Sequence, residues 1–368
     1  MDHTRPFHIA LFIPSLVGGG AERVTINLAR GLVAAGVRTD IVVGQADGPF
    51  LKDVPPGARL INLKAARTIT ALGPLCRYLG KERPDGLISA LDHANVVALL
   101  AAALSRTKTP VVVATHIHLS TASKRQTFWK AWLDRCLQRL TYRWALAVVA
   151  VSHGVAEDMA QRFGWPVSDI RVIYNPVIDR ELSARAKQAP PHQWLTNAKR
   201  PVILALGRLT EQKNFSMLLH AVALLKERSA ARLIILGEGE EREKLQQLVA
   251  ELGLHDIVDM PGFARNPYSY MRCASVVALS SRWEALPTVL IEALACGAPV
   301  VATDCPAGPS EVLANGKYGR LVPIGNPSAM AAALLEALGK TSSPPPAESW
   351  QPYLIEAATR EYLGLFGV

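Results

Sequence analysis

The stretch WEALPTVLIEALACGAPVVATD, residues 283–304, decides how the rest of the chain is read. Residues 280–284 leave an apolar run, Pro287 can take the first helical position, residues 288–295 read as a short helix, and Gly297 with Pro299 stops it. Residues 299–302 then resume as a strand. Glu284 on the entering loop and Glu292 near the far end bracket the helix. Eight residues of helical rise would set the two carboxylates roughly 12 Å apart. The free N–H groups of the helix start lie between them and favour an anion. A sugar joined through a diphosphate to a nucleoside has that order of groups: hydroxyls, anion, hydroxyls. An isolated pair of glutamates is more often a cap and a solvated charge, so the weight falls on what lies upstream.

At 368 residues, 49% apolar and 19% charged, the chain is long enough for two domains with a core each. Its five cysteines show no C-x-x-C pair and no metal-type spacing, which points to a reducing compartment. The apolar run at residues 8–14 is too short to span a bilayer and leads into a glycine-rich turn. It reads as a first strand and not as a signal peptide. The formal net charge of +9 is unevenly placed: residues 1–185 hold 23 Lys+Arg against 14 Asp+Glu, and residues 186–368 hold 17 of each. Nucleic acid, an anionic lipid surface or a phosphorylated acceptor would each match a basic half. With no nucleic-acid motif and few aromatics, nucleic acid ranks last.

In chain order, a strand at 8–14 is followed by Gly18, Gly19 and Gly20 and a helix over 21–35. The three glycines either bring backbone close to a ligand or simply join strand to helix; the dinucleotide pattern G-x-G-x-x-G is not met. Strands at 39–43, 86–91 and 111–115 alternate with helices, and several are continuously apolar. That pattern predicts an α/β chain with parallel sheets covered on both faces, ligands lying at the carboxyl ends of the strands. Asp92 and His93 follow one such strand, His116 and His118 another, and which of the four matters is not fixed by sequence. Residues 124–144, KRQTFWKAWLDRCLQRLTYRW, predict an amphipathic helix. Its apolar face is expected to pack on the sheet; the alternative is a basic helix with interfacial tryptophans resting on anionic lipid. A polar, proline-bearing connector over 178–200 gives the best domain boundary.

The second half opens with a strand at 201–206 and then GRLTEQKN, residues 207–214. Arg208 and Lys213 stand at the strand's carboxyl edge, where two cations can neutralise a diphosphate and stabilise its charge as it leaves. The next such turn, GEGEEREKL, carries too many glutamates at a helix start to hold an anion. Gly262 and Phe263 end a strand whose backbone could face a planar base. Residues 352–366 predict a terminal helix.

Taken together, GGGAERV at 18–24, Tyr174-Asn175-Pro176, GRLTEQKN, LGEGEEREKL and the two glutamates eight apart in WEALPTVLIEALACG resemble the family 4 retaining glycosyltransferases of GT-B fold. The resemblance covers nearly the whole chain and is greatest to bacterial members that build cell-surface polysaccharide or lipid-linked oligosaccharide. It implies two Rossmann-like parallel-sheet domains facing a deep cleft: an acceptor-binding domain over 1–177, a linker over 178–200 and a donor-binding domain over 201–349. Residues 350–368 would form a terminal helix crossing back onto the first domain.

For the site, the resemblance implies that Arg208 and Lys213 hold the donor diphosphate, Glu292 takes the ribose hydroxyls and Glu284 faces the transferred hexose. Gly19, Gly20, Gly262, Phe263, Leu286, Pro287 and Thr288 would complete the donor site. The family's glycine after the first glutamate is here Ala285, which a positive φ would strain. The family's histidine maps to His116, with His118 second, and Asp92 and His93 would join them toward the acceptor. The implied reaction moves a hexose or N-acetylhexosamine from a nucleotide sugar, UDP favoured over GDP, to a hydroxyl of a glycan or lipid-diphosphate acceptor. No cofactor, metal or nucleic acid is implied, and the expected place is the cytoplasm or the inner face of an anionic membrane. A nucleotide-sugar epimerase and a non-catalytic sugar-binding subunit are the rival readings.

Overall fold

The computed structural model of the chain describes residues 6–17, 19–116, 128–197, 199–339 and 343–368, with 128–131 as backbone alone. Gly18 and His118 lie outside them. The chain divides into two compact units, Met1–Val177 with Tyr353–Val368, and Ile178–Pro352.

The first unit is built on strands β1 (His8–Ile13), β2 (Arg38–Val43), β3 (Ala58–Asn62), β4 (Gly86–Ala90), β5 (Val111–Thr115), β6 (Ala147–Ala150) and β7 (Ile170–Val172). They pair in the order β3-β2-β1-β4-β5-β6-β7, all parallel. Helices α1 (Gly20–Ala34), α2 (Leu72–Glu82), α3 (Asp92–Ser105), α4 (Phe128–Thr141) and α5 (His153–Phe163) connect them. Strands β1, β4 and β5 are buried along their whole length, which is why they read as unbroken apolar runs. At the amino-terminal edge, Asp40 of β2 accepts from Arg59 at 3.0 and 2.6 Å and from the Tyr78 hydroxyl at 2.6 Å. Its other neighbour is His8 Nε2, 3.0 Å away. Burial raises that carboxyl, but these partners outweigh it and hold it well below the usual carboxylate range.

In the second unit α6 (Leu182–Ala186) and α7 (Gln193–Thr196) fold the connector. Strands β8 (Val202–Leu206), β9 (Arg232–Leu236), β10 (Val258–Gly262), β11 (Val276–Leu279), β12 (Val300–Thr303) and β13 (Arg320–Val322) follow, in the parallel order β10-β9-β8-β11-β12-β13. Their helices are α8 (Phe215–Leu225), α9 (Arg242–Glu251), α10 (Pro267–Cys273), α11 (Thr288–Ala295), α12 (Pro309–Val312) and α13 (Pro327–Gly339). Phe215, Leu218 and Leu219 of α8 pack with Ile203, Leu233 and Leu334 in the core.

Both sheets are Rossmann-like and reverse strand order at the same place, between β1 and β4 and between β8 and β11. The expected parallel architecture is therefore present twice. The chain then returns to the first unit, where α14 (Ile355–Leu365) packs on α1. The crossing is tight: a Cβ placed on Gly31 would lie 1.9 Å from Thr359 Oγ1. Val177 N–H donates to Tyr353 O at 2.9 Å, and the rings of Tyr174 and Tyr353 lie 4.9 Å apart.

Asp92 and His93 follow β4 as expected and form the first turn of α3, where a carboxylate is favoured by the helix dipole. Two other expectations need correction. Pro287 does not occupy the first helical position; it is the cap before α11, where its missing N–H is equally harmless. The apolar face expected to pack α4 on the sheet is instead exposed: Trp132, Leu133, Leu137 and Leu140 are 52%, 52%, 41% and 60% accessible. The side facing inward carries Gln138 and Thr141, and the Thr141 hydroxyl is satisfied within the helix by Leu137 O at 2.7 Å.

Candidate active site

In the second unit the carboxyl ends of β8, β9 and β11 meet in a closely packed set of loops. Gly207 closes β8 at φ +151, and a Cβ on Gly237 after β9 would lie 1.9 Å from Gly207 O, so both positions exclude a side chain. Backbone bonds tie the turns together: Leu209 N–H donates to Glu238 O at 2.9 Å and Glu241 N–H to Leu209 O at 3.0 Å. Two of the four glutamates of that second turn are engaged with neighbouring cations, Glu238 with Arg242 and Glu241 with Lys244.

The stem of Lys213 lies over Gly207, its Cε 3.1 Å from where a Cβ would stand. Its ammonium thereby reaches Glu284 Oε1 at 2.6 Å, and Ser281 Oγ donates to the same oxygen at 2.6 Å. Both charges are largely withdrawn from solvent, with side chains 16% and 8% exposed. The loops beneath them are stitched by Ser280 Oγ to Lys213 O at 2.7 Å, Gln212 Nε2 to Trp283 O at 2.9 Å and Arg282 N–H to Gln212 O at 2.8 Å. Thr303 of β12 donates to Ser281 O at 2.6 Å. Arg208 stands exposed at the end of β8.

Residues 285–288 lead from Glu284 into α11. Ala285 does not take the positive φ that would strain it. Gly308, at φ +91, lets the following loop lie flush on the helix start, since a Cβ there would sit 2.5 Å from Pro287 Cδ. Glu292 in the second turn is 9% exposed and accepts from the Tyr268 hydroxyl at 3.3 Å. Burial, with Glu292 adding to it, pushes the Cys296 thiol up to about 12, so that it stays neutral. Gly262 ends β10 at φ +93, and Phe263 beside it is 74% exposed.

The first unit carries its own polar cluster at the ends of β4 and β5. Leu91 is held at φ +79, a left-handed conformation costly for a branched side chain, and it turns the chain sharply into α3. Asp92 Oδ1 accepts from Thr115 Oγ1 at 3.2 Å and from the Tyr142 hydroxyl at 3.4 Å. Asn95 Nδ2 donates to Tyr142 and to Ala114 O, each at 3.0 Å. Burial raises the Asp92 carboxyl to about 6 despite those hydrogen bonds and the charge of Arg162. Burial also lowers the His116 imidazole to about 4, opposed by a hydrogen bond with Asn175. Both groups are therefore shifted toward their neutral forms.

His93 is exposed, and His118 lies outside the described residues. Gly19 is extended at φ −106 and Gly20 opens α1, so neither adopts a positive φ. A Cβ on Gly20 would meet nothing within 4 Å. Tyr142, Asn95, Thr115, Ser281 and Tyr268 join these clusters without having been singled out in the sequence. Among the described residues, no group of three or more His, Cys, Asp or Glu is placed to hold a metal ion, and no helix is long and apolar enough to cross a membrane.

Comparison with known proteins follows the same division. Residues 18–181 match the family described as Glycosyltransferase Family 4, and residues 187–352 match Glycosyl transferases group 1. One relative is the N-acetylgalactosamine-N,N'-diacetylbacillosaminyl-diphospho-undecaprenol 4-alpha-N-acetylgalactosaminyltransferase of Campylobacter jejuni. It is 30% identical over 332 residues, 88% of this chain and 87% of its own length. The lipopolysaccharide core biosynthesis glycosyltransferase LpsD of Rhizobium meliloti is 33% identical over 324 residues, covering 86% and 84%. Among solved structures, Anabaena HepE in complex with UDP superposes with a TM-score of 0.81 at 21% identity, over 98% of this chain and 99% of that one. With two relatives at this identity, each matched over more than four fifths of both lengths, and both halves matched in order, the chain belongs to the family 4 glycosyltransferases.

Proposed function

We propose that the protein transfers a hexose or N-acetylhexosamine from a UDP-sugar to a hydroxyl of a lipid-linked or cell-surface glycan, with retention of anomeric configuration. The observation that carries this is the Lys213–Glu284 pair at the ends of β8 and β11. It sets a cation and a carboxylate side by side at the reversal of a parallel sheet, where ligands of such sheets bind. HepE was crystallised with UDP, and the Campylobacter relative is named for transfer onto a diphospho-undecaprenol glycan; both support the choice of donor and acceptor class.

In this reading the second unit binds the donor. Breaking the bond between the sugar C1 and the diphosphate leaves the electron pair, and so the growing charge, on the diphosphate. Arg208, Lys213 and the start of α11 stabilise it without calling on a metal ion. Ala285, Leu286, Pro287 and Thr288 line that helix start, Gly262 and Phe263 face the base, and Glu292 accepts from the ribose. Glu284 accepts hydrogen bonds from the transferred sugar, with Ser281 and Lys213 fixing its carboxylate. The acceptor oxygen attacks C1 on the face the diphosphate leaves, and the departing phosphate takes its proton.

The first unit binds the acceptor. Asp92, oriented through Oδ1 by Thr115 and Tyr142, takes an acceptor hydroxyl, with His93 and His116 following the neighbouring strands β4 and β5. The expected place is the cytoplasm, at the inner face of an anionic membrane. Arg135, Arg139 and Arg143 are exposed alongside the bare tryptophan and leucines of α4, which supports that contact. Flotation with vesicles of neutral and anionic lipid at low and high salt tests it; equal binding to both would remove the membrane reading.

Incubation with a panel of nucleotide sugars, with and without lipid-linked acceptors, should release a nucleoside diphosphate from one of them. Lys213→Ala and Glu292→Ala should each weaken donor use by about tenfold or more. Turnover and donor affinity near normal in both variants would overturn the site.

A further inference from the structure

A carboxylate can accept from two neighbouring ribose hydroxyls only when its plane is fixed. Glu292 has a long side chain, and one of the groups that hold it comes from outside α11. Tyr268 of α10, itself 5% exposed, donates its hydroxyl hydrogen to Glu292 Oε1 at 3.3 Å. That bond engages one of the carboxylate's two oxygens and so sets the plane in which the group faces a ligand.

The tyrosine ring is in turn clamped. The guanidinium of Arg185 lies over it, 4.7 Å from the centroid, and is paired with Asp179. Asn266, at the start of α10, donates to Arg185 O and to Gln188 Oε1, each at 2.9 Å. A cation on the ring face also withdraws electron density from the phenol, which strengthens its hydroxyl as a donor. Segment 179–188 thus grips the ring, and the ring grips the carboxylate.

We propose that Tyr268 is a positioning residue for Glu292: it fixes the carboxylate in the orientation that accepts the ribose hydroxyls, and so makes the site select ribonucleotide over deoxyribonucleotide donors. This rests on Glu292 being the ribose acid. Tyr268→Phe removes the hydroxyl and leaves the ring under Arg185, so the packing is kept.

The test measures binding of UDP and 2′-deoxy-UDP to the full chain by calorimetry, together with donor KM and kcat. The unaltered protein should prefer UDP by about tenfold or more, because a carboxylate built to receive a hydroxyl is left unpaired by its absence. Glu292→Gln should bring that preference close to one. Tyr268→Phe should narrow it by about three- to tenfold and raise the donor KM to match, with kcat within about twofold. The double variant should lose no more than Glu292→Gln alone, since Tyr268 acts through that side chain. A preference and KM unchanged in Tyr268→Phe, or losses that add in the double variant, overturn the positioning role while leaving Glu292 in place. A preference unchanged in Glu292→Gln removes the ribose reading itself and this inference with it.

Discussion

A lysine and a glutamate 2.6 Å apart, both mostly out of solvent, depend on each other. Glu284→Gln keeps the shape but leaves the ammonium without its countercharge. It is expected to lower turnover by about a hundredfold and to cost about 1–3 kcal/mol of stability, read by steady-state rates and urea unfolding. Asp92 and Asp40 titrate in opposite senses. The Asp92 carboxyl is raised to about 6, so its contribution to stability is full below its unfolded value, near 4, and is lost as pH rises through about 6. Thermal melts of Asp92→Asn against the unaltered protein should therefore show the variant gaining relative stability from pH 4 to pH 7. A constant difference would refute the shift. Asp40 is depressed, so its contribution is present above the ordinary carboxylate range and is lost as pH falls below it. Lys213 and Glu284 could be singled out in the sequence because each follows an apolar strand. Tyr268 and Tyr142 could not, because a tyrosine in an apolar helix face has the same pattern as core.

Among the elements, the tight crossing of α1 and α14 sets two effects against each other. Ala is the better helix former than Gly by about 1 kcal/mol. A Cβ at Gly31 would however sit 1.9 Å from Thr359 Oγ1, and that hydroxyl is already bonded to Ile355 O at 2.7 Å. Forcing it aside costs about 1–3 kcal/mol, so Gly31→Ala should destabilise the protein in urea despite its propensity. The alternation of strand and helix was readable because buried parallel strands are continuously apolar. Two elements had no such signal. Edge strand β3 is half exposed, and α2 carries Gly73 and Pro74 in its first turn, where Pro costs little but reads as a break. Helix α4 misled for a third reason: periodicity locates an apolar face without saying what covers it.

For the whole molecule, the first unit is discontinuous in sequence, since residues 353–368 complete it. Ending the chain at Pro352 would uncover α1 around Gly31 and remove the ring of Phe366, which stands 6.3 Å from Phe7. The shortened protein is expected to melt with an earlier transition for the first unit, while the transition of the second, which loses none of its own residues, stays where it was. Circular dichroism across a thermal ramp reads both.

The same discontinuity orders events on the ribosome. The strands of the first unit emerge early, but the helix that covers α1 is translated only after the whole of residues 178–352. A nascent chain therefore holds one lobe with its α1 flank bare while the later lobe already has every strand it needs. The second lobe written is the first that can finish folding.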